Sequence, residues 1–309
     1  MLRRSSLLSI LTLFALTLIP VRASAAVKGI SVTPAVQEVT LEAGKEDVTF
    51  TFGVTNSTTG TASLRLSMLD FGSLNESGGV AFLGRGGSET TTYGLRQWMA
   101  LEKETLTLQP NESQEVRAIV TNKSSLAPGG HYGAIVITSE QDSDEDSESV
   151  AVLPSTSVLV LLKKTGGERL ELNLPSVSSN KSAVKLPTEI SLRFQNGGNT
   201  HVVPRGTVKL QGPRKNIIAR GIINEESGYI LPDSYRVYKL AFTSPVKGWL
   251  PGRYNLITTS RYDGQAKAVT TVTHIWYIGL IPIIFLSIIV FIICALFVQR
   301  RFIRKNTKK

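Results

Sequence analysis

Ala62-Ser-Leu-Arg-Leu-Ser-Met-Leu69 alternates apolar and polar side chains with period two, which places Leu64, Leu66 and Met68 on one face of an extended chain. Outward from this stretch the same grammar repeats. Upstream, Val48-Thr-Phe-Thr-Phe-Gly-Val54 is rich in β-branched and aromatic residues and ends in the turn cluster Asn56-Ser-Thr-Thr-Gly60. Downstream come Leu106-Thr-Leu108, Glu115–Val120, Tyr132–Thr138, Val150–Leu153 and Ser157–Leu162, broken by Gln109-Pro-Asn-Glu112 and Pro128-Gly-Gly130. A second set starts near Arg169 with Leu170–Leu174, Glu189–Phe194, Val208–Leu210, Gly221–Asn224, Tyr235–Phe242, Gly252–Ile257 and Ala266–Thr273. No amphipathic helix interrupts either set. The expected fold is all-β: two tandem immunoglobulin-like β-sandwiches followed by a single C-terminal transmembrane helix. The first sandwich is assigned to 26–166 and the second to 167–274, divided at Thr165-Gly-Gly167. With no Cys…Trp…Cys pattern, neither is an antibody-type domain.

The two ends read as addresses. Met1–Ala25 has Arg3 and Arg4, an apolar run from Leu7 to Pro20 and the small-x-small site Ala23-Ser-Ala25, the pattern of a signal peptide. Ile275–Val298 contains no charge, and 17 of its 24 residues are Leu, Ile, Val or Phe. As a helix it reaches ~36 Å, enough for a hydrocarbon core of ~30 Å. A buried core helix would carry a polar stripe, and this segment has none. The basic tail at 299–309 then lies in the cytoplasm by the positive-inside rule, and residues 26–274 lie outside. Of the formal charge of +10, +3 falls in the first 25 residues and +6 in the last eleven. The remaining +1 on the body argues against nucleic acid as a partner.

Little in the body points to chemistry. One cysteine, Cys294 inside the span, and three histidines rule out a disulfide framework and most multi-His/Cys metal sites, and no cofactor is expected. The acidic loop at 140–149 spaces Asp142, Asp144 and Asp146 like the first ligands of an EF-hand, but Ser147 and Leu153 stand where that loop needs Gly and Glu. It is expected to be a solvated loop. Nucleophile-elbow, zincin and phosphate-loop motifs are missing, so the protein is expected not to be an enzyme. Three residues are kept as binding candidates. Trp98 would stack on a sugar if exposed, though a core position is the commoner use; Asn199 suits a strand-end turn; His201 more often fixes a turn than holds a metal.

Certain stretches go further. Gly29-Ile-Ser-Val-Thr-Pro34, Gln97-Trp-Met99, Pro128-Gly-Gly-His-Tyr-Gly133 and above all Asn196-Gly-Gly-Asn-Thr-His-Val-Val-Pro-Arg-Gly206 resemble the WxL-interacting proteins and related bacterial surface proteins. The resemblance covers nearly the whole chain and implies a signal peptide, two immunoglobulin-like domains, one C-terminal span and a basic tail. It also implies a first domain that associates with peptidoglycan and a second that takes protein ligands. The expected function is therefore that of a non-catalytic cell-surface protein, single-pass in the cell membrane. It would bind cell-wall polymer, another surface protein, or both. A membrane-tethered assembly chaperone for secreted β-rich proteins is the first alternative, and a cell-wall hydrolase the weaker one.

Overall fold

The computed structural model describes residues 29–83, 91–140, 155–180, 184–242, 250–265 and 267–306. The expected signal peptide, the aspartates of the acidic loop and the strand expected at Val150–Leu153 lie outside the described residues.

The chain is mostly β-sheet with one apolar helix at its C-terminal end. In the first half the strands are β1 (Ile30–Thr33), β2 (Val36–Leu41), β3 (Asp47–Asn56), β4 (Ala62–Ser73), β5 (Val80–Leu83), β6 (Met99–Leu101), β7 (Thr105–Leu108), β8 (Ser113–Thr121), β9 (Gly129–Ser139) and β10 (Ser155–Lys164). One sheet has the order β1-β3-β8-β6. The facing sheet has the order β2-β10-β9-β4-β5, with β7 on the other end of β4. The chain leaves one sheet at Thr33 and enters the other at Val36, where β2 runs parallel to β10. The face predicted from residues 62–69 is inward: Leu64 and Leu66 join Phe52, Val54, Val116, Val120, Ile135 and Leu162 in one core.

The second half holds β11 (Leu172–Ser179), β12 (Glu189–Asn196), β13 (Pro204–Gln211), β14 (Ile217–Ile223), β15 (Tyr235–Ala241), β16 (Gly252–Tyr262) and β17 (Val269–Tyr277). They form a three-stranded sheet, β11-β12-β15, and a four-stranded sheet, β14-β13-β16-β17. Ile190, Leu192, Phe194 and Leu240 of one meet Val208, Leu210, Tyr254, Leu256 and Ile275 of the other in a second core.

Two features depart from simple alternation. The first is β9, whose residues Gly129–Ile137 are all buried because both faces of its sheet are covered. Its run Tyr132-Gly-Ala-Ile-Val-Ile137 is the near-continuous apolar pattern such strands need. The second is a correction to the membrane segment. Ile275 is 1% exposed and belongs to the second core, and the strand continues to Tyr277. The helix α1 spans Leu280–Asn306, and its stretch Pro282–Arg300 is long and apolar enough to cross a membrane. Lack of charge alone puts residues 275–277 in the span; their alternation assigns them to the sheet. Helix also extends through residues expected to form a separate basic tail.

Candidate functional site

The outer face of the β2-β10-β9-β4-β5 sheet should be polar if it meets water. Instead Phe71, Tyr132, Ala134, Val136 and Leu161 are buried there, packed with Tyr229 and Leu231 from the β14–β15 connection. The two sheet pairs therefore share a third apolar cluster, and beside it a cleft of about 270 Å³ remains open. Its floor includes Phe71, Val80, Leu159 and Leu161, and its roof includes Tyr229, Leu231 and Arg236. Val36 at the start of β2 and Val80 at the start of β5 also line it, and these two strands are edges of the sheet. An edge strand exposes unpaired backbone N–H and C=O groups along one side, and here an apolar surface lies directly beside them.

Charged groups set the shape of the rim. The β4–β5 turn is held against the second sheet pair by Arg193, whose Nη2 and Nε donate to Glu76 Oε1 and Oε2 at 2.6 and 2.8 Å. The backbone N–H of Val237 donates to the Glu76 carbonyl at 2.7 Å. The Arg193 guanidinium lies 3.7 Å over the Tyr235 ring and holds the Glu76 carboxyl below the usual range. Arg236 donates from Nη1 to the Tyr229 carbonyl at 2.7 Å. Gly78, at φ +88°, leaves room for that guanidinium, which a Cβ would overlap. Across the cluster, Tyr93 Oη donates to Asp233 Oδ2 at 2.8 Å; burial and the neighbouring carboxylate push the phenol up to about 12.

The joint itself is built from the motif beginning at Asn196. The carbonyl of Asn199 accepts from Gly130 N–H at 2.7 Å. Its side-chain Oδ1 accepts from Arg169 N–H at 2.6 Å, and Nδ2 donates to the Gly167 carbonyl at 3.0 Å. His201 is 7% exposed, edge-on to the Tyr132 and Tyr229 rings. The tautomer with hydrogen on Nε2 donates to Glu38 Oε1 at 3.2 Å and accepts at Nδ1 from Tyr132 Oη at 3.4 Å. The His201 hydrogen bond lowers the Glu38 carboxyl, while burial raises the Tyr132 phenol.

Two of the three sequence candidates, Asn199 and His201, thus come together in the joint, beside the cleft but not lining it. Trp98 is elsewhere. It is buried in the first core, with Nε1 donating to Ser125 Oγ at 3.2 Å and its ring edge-on to His131, so it offers no stacking face. Sequence reasoning misses Glu38, Glu76, Arg193 and Arg236. Each lies on an ordinary alternating strand or turn, and no local pattern marks a charge whose role is set by groups brought in from elsewhere in the chain. The run through β9 is the available signal, since it announces a second buried face. Among the described residues no cluster of His, Cys, Asp and Glu has the makings of a metal site.

No protein-family model matches the chain, and no curated protein matches it in sequence. Among solved structures, a chaperone–tip adhesin complex of CFA/I fimbriae biogenesis is similar at 8% identity and a TM-score of 0.43, over 80% of this chain and 98% of that one. The class 5 fimbriae chaperone CfaA is similar at 7% identity and a TM-score of 0.42, over 79% and 99%. The E. coli chaperone DraB is similar at 12% identity and a TM-score of 0.36, over 79% and 97%. At these scores the likenesses stand beside the reading of function and do not carry it.

Proposed function

We propose that this chain is a non-catalytic, membrane-anchored protein that faces the outside of the cell. It takes an extended segment of another surface protein into the cleft between two immunoglobulin-like sandwiches. The observation that carries this reading is the open apolar cleft beside β2 and β5. An incoming strand would pair with the exposed backbone of an edge and turn alternate side chains to the cleft side, beside Val36 at β2 or Val80 at β5. The helix with its Pro282–Arg300 stretch supplies the anchor. The resemblance to WxL-interacting proteins agrees with a protein ligand. Peptidoglycan has less to recommend it, because the cleft is apolar and Trp98 is buried.

A second reading uses the same cleft: an assembly chaperone that holds a client strand and releases it. Cleft size favours it. At about 270 Å³ the space accepts a few side chains, slightly less than the roughly 300–1,000 Å³ of ordinary ligand sites, so engagement would be shallow and brief. A hydrolase is not proposed.

Photo-crosslinking on intact cells tests the site. A benzophenone side chain at Val80 or Leu159 of the full-length chain is expected to capture a defined protein band, and the same group at Thr259, on the distant sheet, is not. Equal capture at all three positions, or capture of glycan alone, refutes the proposal. Pulse-chase separates the two readings: crosslinks that disappear as the client matures indicate a chaperone, and persistent ones a receptor.

A further inference from the structure

The near-neutral total of the body conceals a basic second half: from 167 to 274 the sequence has fifteen Lys and Arg against seven Asp and Glu. At the end away from helix α1, the connections 196–204, 224–234 and 262–268 carry Glu225, Glu226, Asp233 and Asp263 against Lys267, and Arg205, Arg236 and Arg261 at the adjoining strand ends bring that end into balance. At the end next to the helix the charge is one-sided. The described parts of that end present Lys185, Arg214, Lys215 and Arg253, all exposed, and the acid there is Glu189 at the first residue of β12. Register fixes this placement. Gln211, at the end of β13, faces Asn255, which faces His274, and Arg253 is directly opposite Trp276. The turn that carries Arg214 and Lys215 therefore projects beside Gly252, itself opposite Tyr277.

Between Tyr277 and Leu280 only Ile278 and Gly279 intervene. Three Cα–Cα steps span at most about 11 Å, so the basic end of the sheet pair stays close to the surface that the helix enters, with its tilt left to be set by other contacts. Trp276 is 70% exposed and Ile278 47%, at the depth where an interfacial aromatic belt forms.

We infer that this end of the second sheet pair is a docking face for anionic phospholipid headgroups. Lys185, Arg214, Lys215 and Arg253 lie over the phosphates, and Trp276 sits at the interface. The inference rests on α1 crossing the membrane.

The test uses the full chain with Cys294→Ser and a nitroxide on Lys215→Cys, in nanodiscs of phosphatidylcholine alone or mixed with phosphatidylglycerol. Collision of the label with headgroup-chelated nickel is expected to rise at least about fivefold in the anionic discs and to fall back in high salt. Arg214→Glu with Arg253→Glu should abolish the rise, and Arg253→Gln should reduce it, in proteins whose thermal transition in neutral discs is unchanged. Equal collision in both lipids, or a rise that survives the charge reversals, overturns the inference while leaving the span intact. So does a response to soluble polyphosphate in neutral discs that equals the response to lipid charge. A chain that elutes apart from the discs overturns both.

Discussion

Asn56 and Asn196 are the same device used for two purposes. Each ends a strand that has neighbours on both sides, and each is fully buried. Asn56 Nδ2 donates to the Gly60 and Leu108 carbonyls at 2.8 and 3.0 Å, and its Oδ1 accepts from Thr58 N–H at 3.0 Å. Asn196 Nδ2 donates to the Thr200 and Ile230 carbonyls at 2.8 and 2.9 Å, and its Oδ1 accepts from Gly198 N–H at 2.9 Å. The carbonyl four residues on is the partner in both. Beyond the asparagine the two chains diverge. After Asn56 the turn ends at exposed Thr59 and Gly60, whereas after Asn196 the chain carries Asn199, Thr200 and His201 into the joint with the first sheet pair. A corner that merely reverses the chain in one half has become, in the other, the element that fixes where the two halves meet.

The largest losses are expected in the two cores that these corners adjoin. Phe52→Ala and Phe194→Ala, both at buried positions, should each cost about 3–5 kcal/mol, read by denaturant titration of the full chain in detergent. A loss under about 1 kcal/mol at either would show that its core is not packed as described.

Next are the corners. Asn56→Ala and Asn196→Ala should each cost about 2–3 kcal/mol, because buried backbone carbonyls, that of Leu108 at the first and those of Thr200 and Ile230 at the second, lose their donor. Only Asn196→Ala should also hasten proteolysis near Gly166-Gly167, because only that corner supports the joint. Equal protection in the two variants would make the corners interchangeable and remove the distinction. Smaller again, Thr58→Ala should cost about 0.5–1.5 kcal/mol, since its Oγ1 donates to Asn56 Oδ1 at 2.6 Å in a half-buried turn, while Asn199→Ala should loosen the joint and raise the same proteolysis rate.

The smallest effect concerns acid. Hydrogen bonding from His201 holds Glu38 below its ordinary 4.5, so its contribution is complete above that value and is lost as pH falls through the lowered one. Its side chain is 58% exposed, which limits the size of the change. Glu38→Gln should flatten the acid limb of joint proteolysis, and an unaltered limb would remove Glu38 from the joint's pH response.

Much of the fold is legible because period-two alternation is a local signal. Residues 62–69 name their own inward face, and the uncharged C-terminal run names a helix. The error at Ile275–Tyr277 has the same root, since the end of a sheet strand and the start of a membrane span are both apolar and only alternation divides them. The site is less legible. Asn199 and His201 draw notice through their turn-forming neighbours, yet the cleft they stand beside is made by side chains brought from separate strands. Arg193 and Glu76 pair across 117 positions of sequence, and nothing near either one encodes that meeting. The apolar run through β9 is a further trace of the joint in the sequence, and it tells that a second face is covered without telling by what.

Amide hydrogen exchange on the full chain, alone and with its crosslink-captured partner, tests the cleft most directly. Strand pairing at the edge requires the outward amides of Val80–Leu83 or Val36–Leu41 to exchange more slowly in the complex, with β17 unchanged. Unaltered exchange along both edges, with a stable complex present, would contradict a partner strand in the cleft.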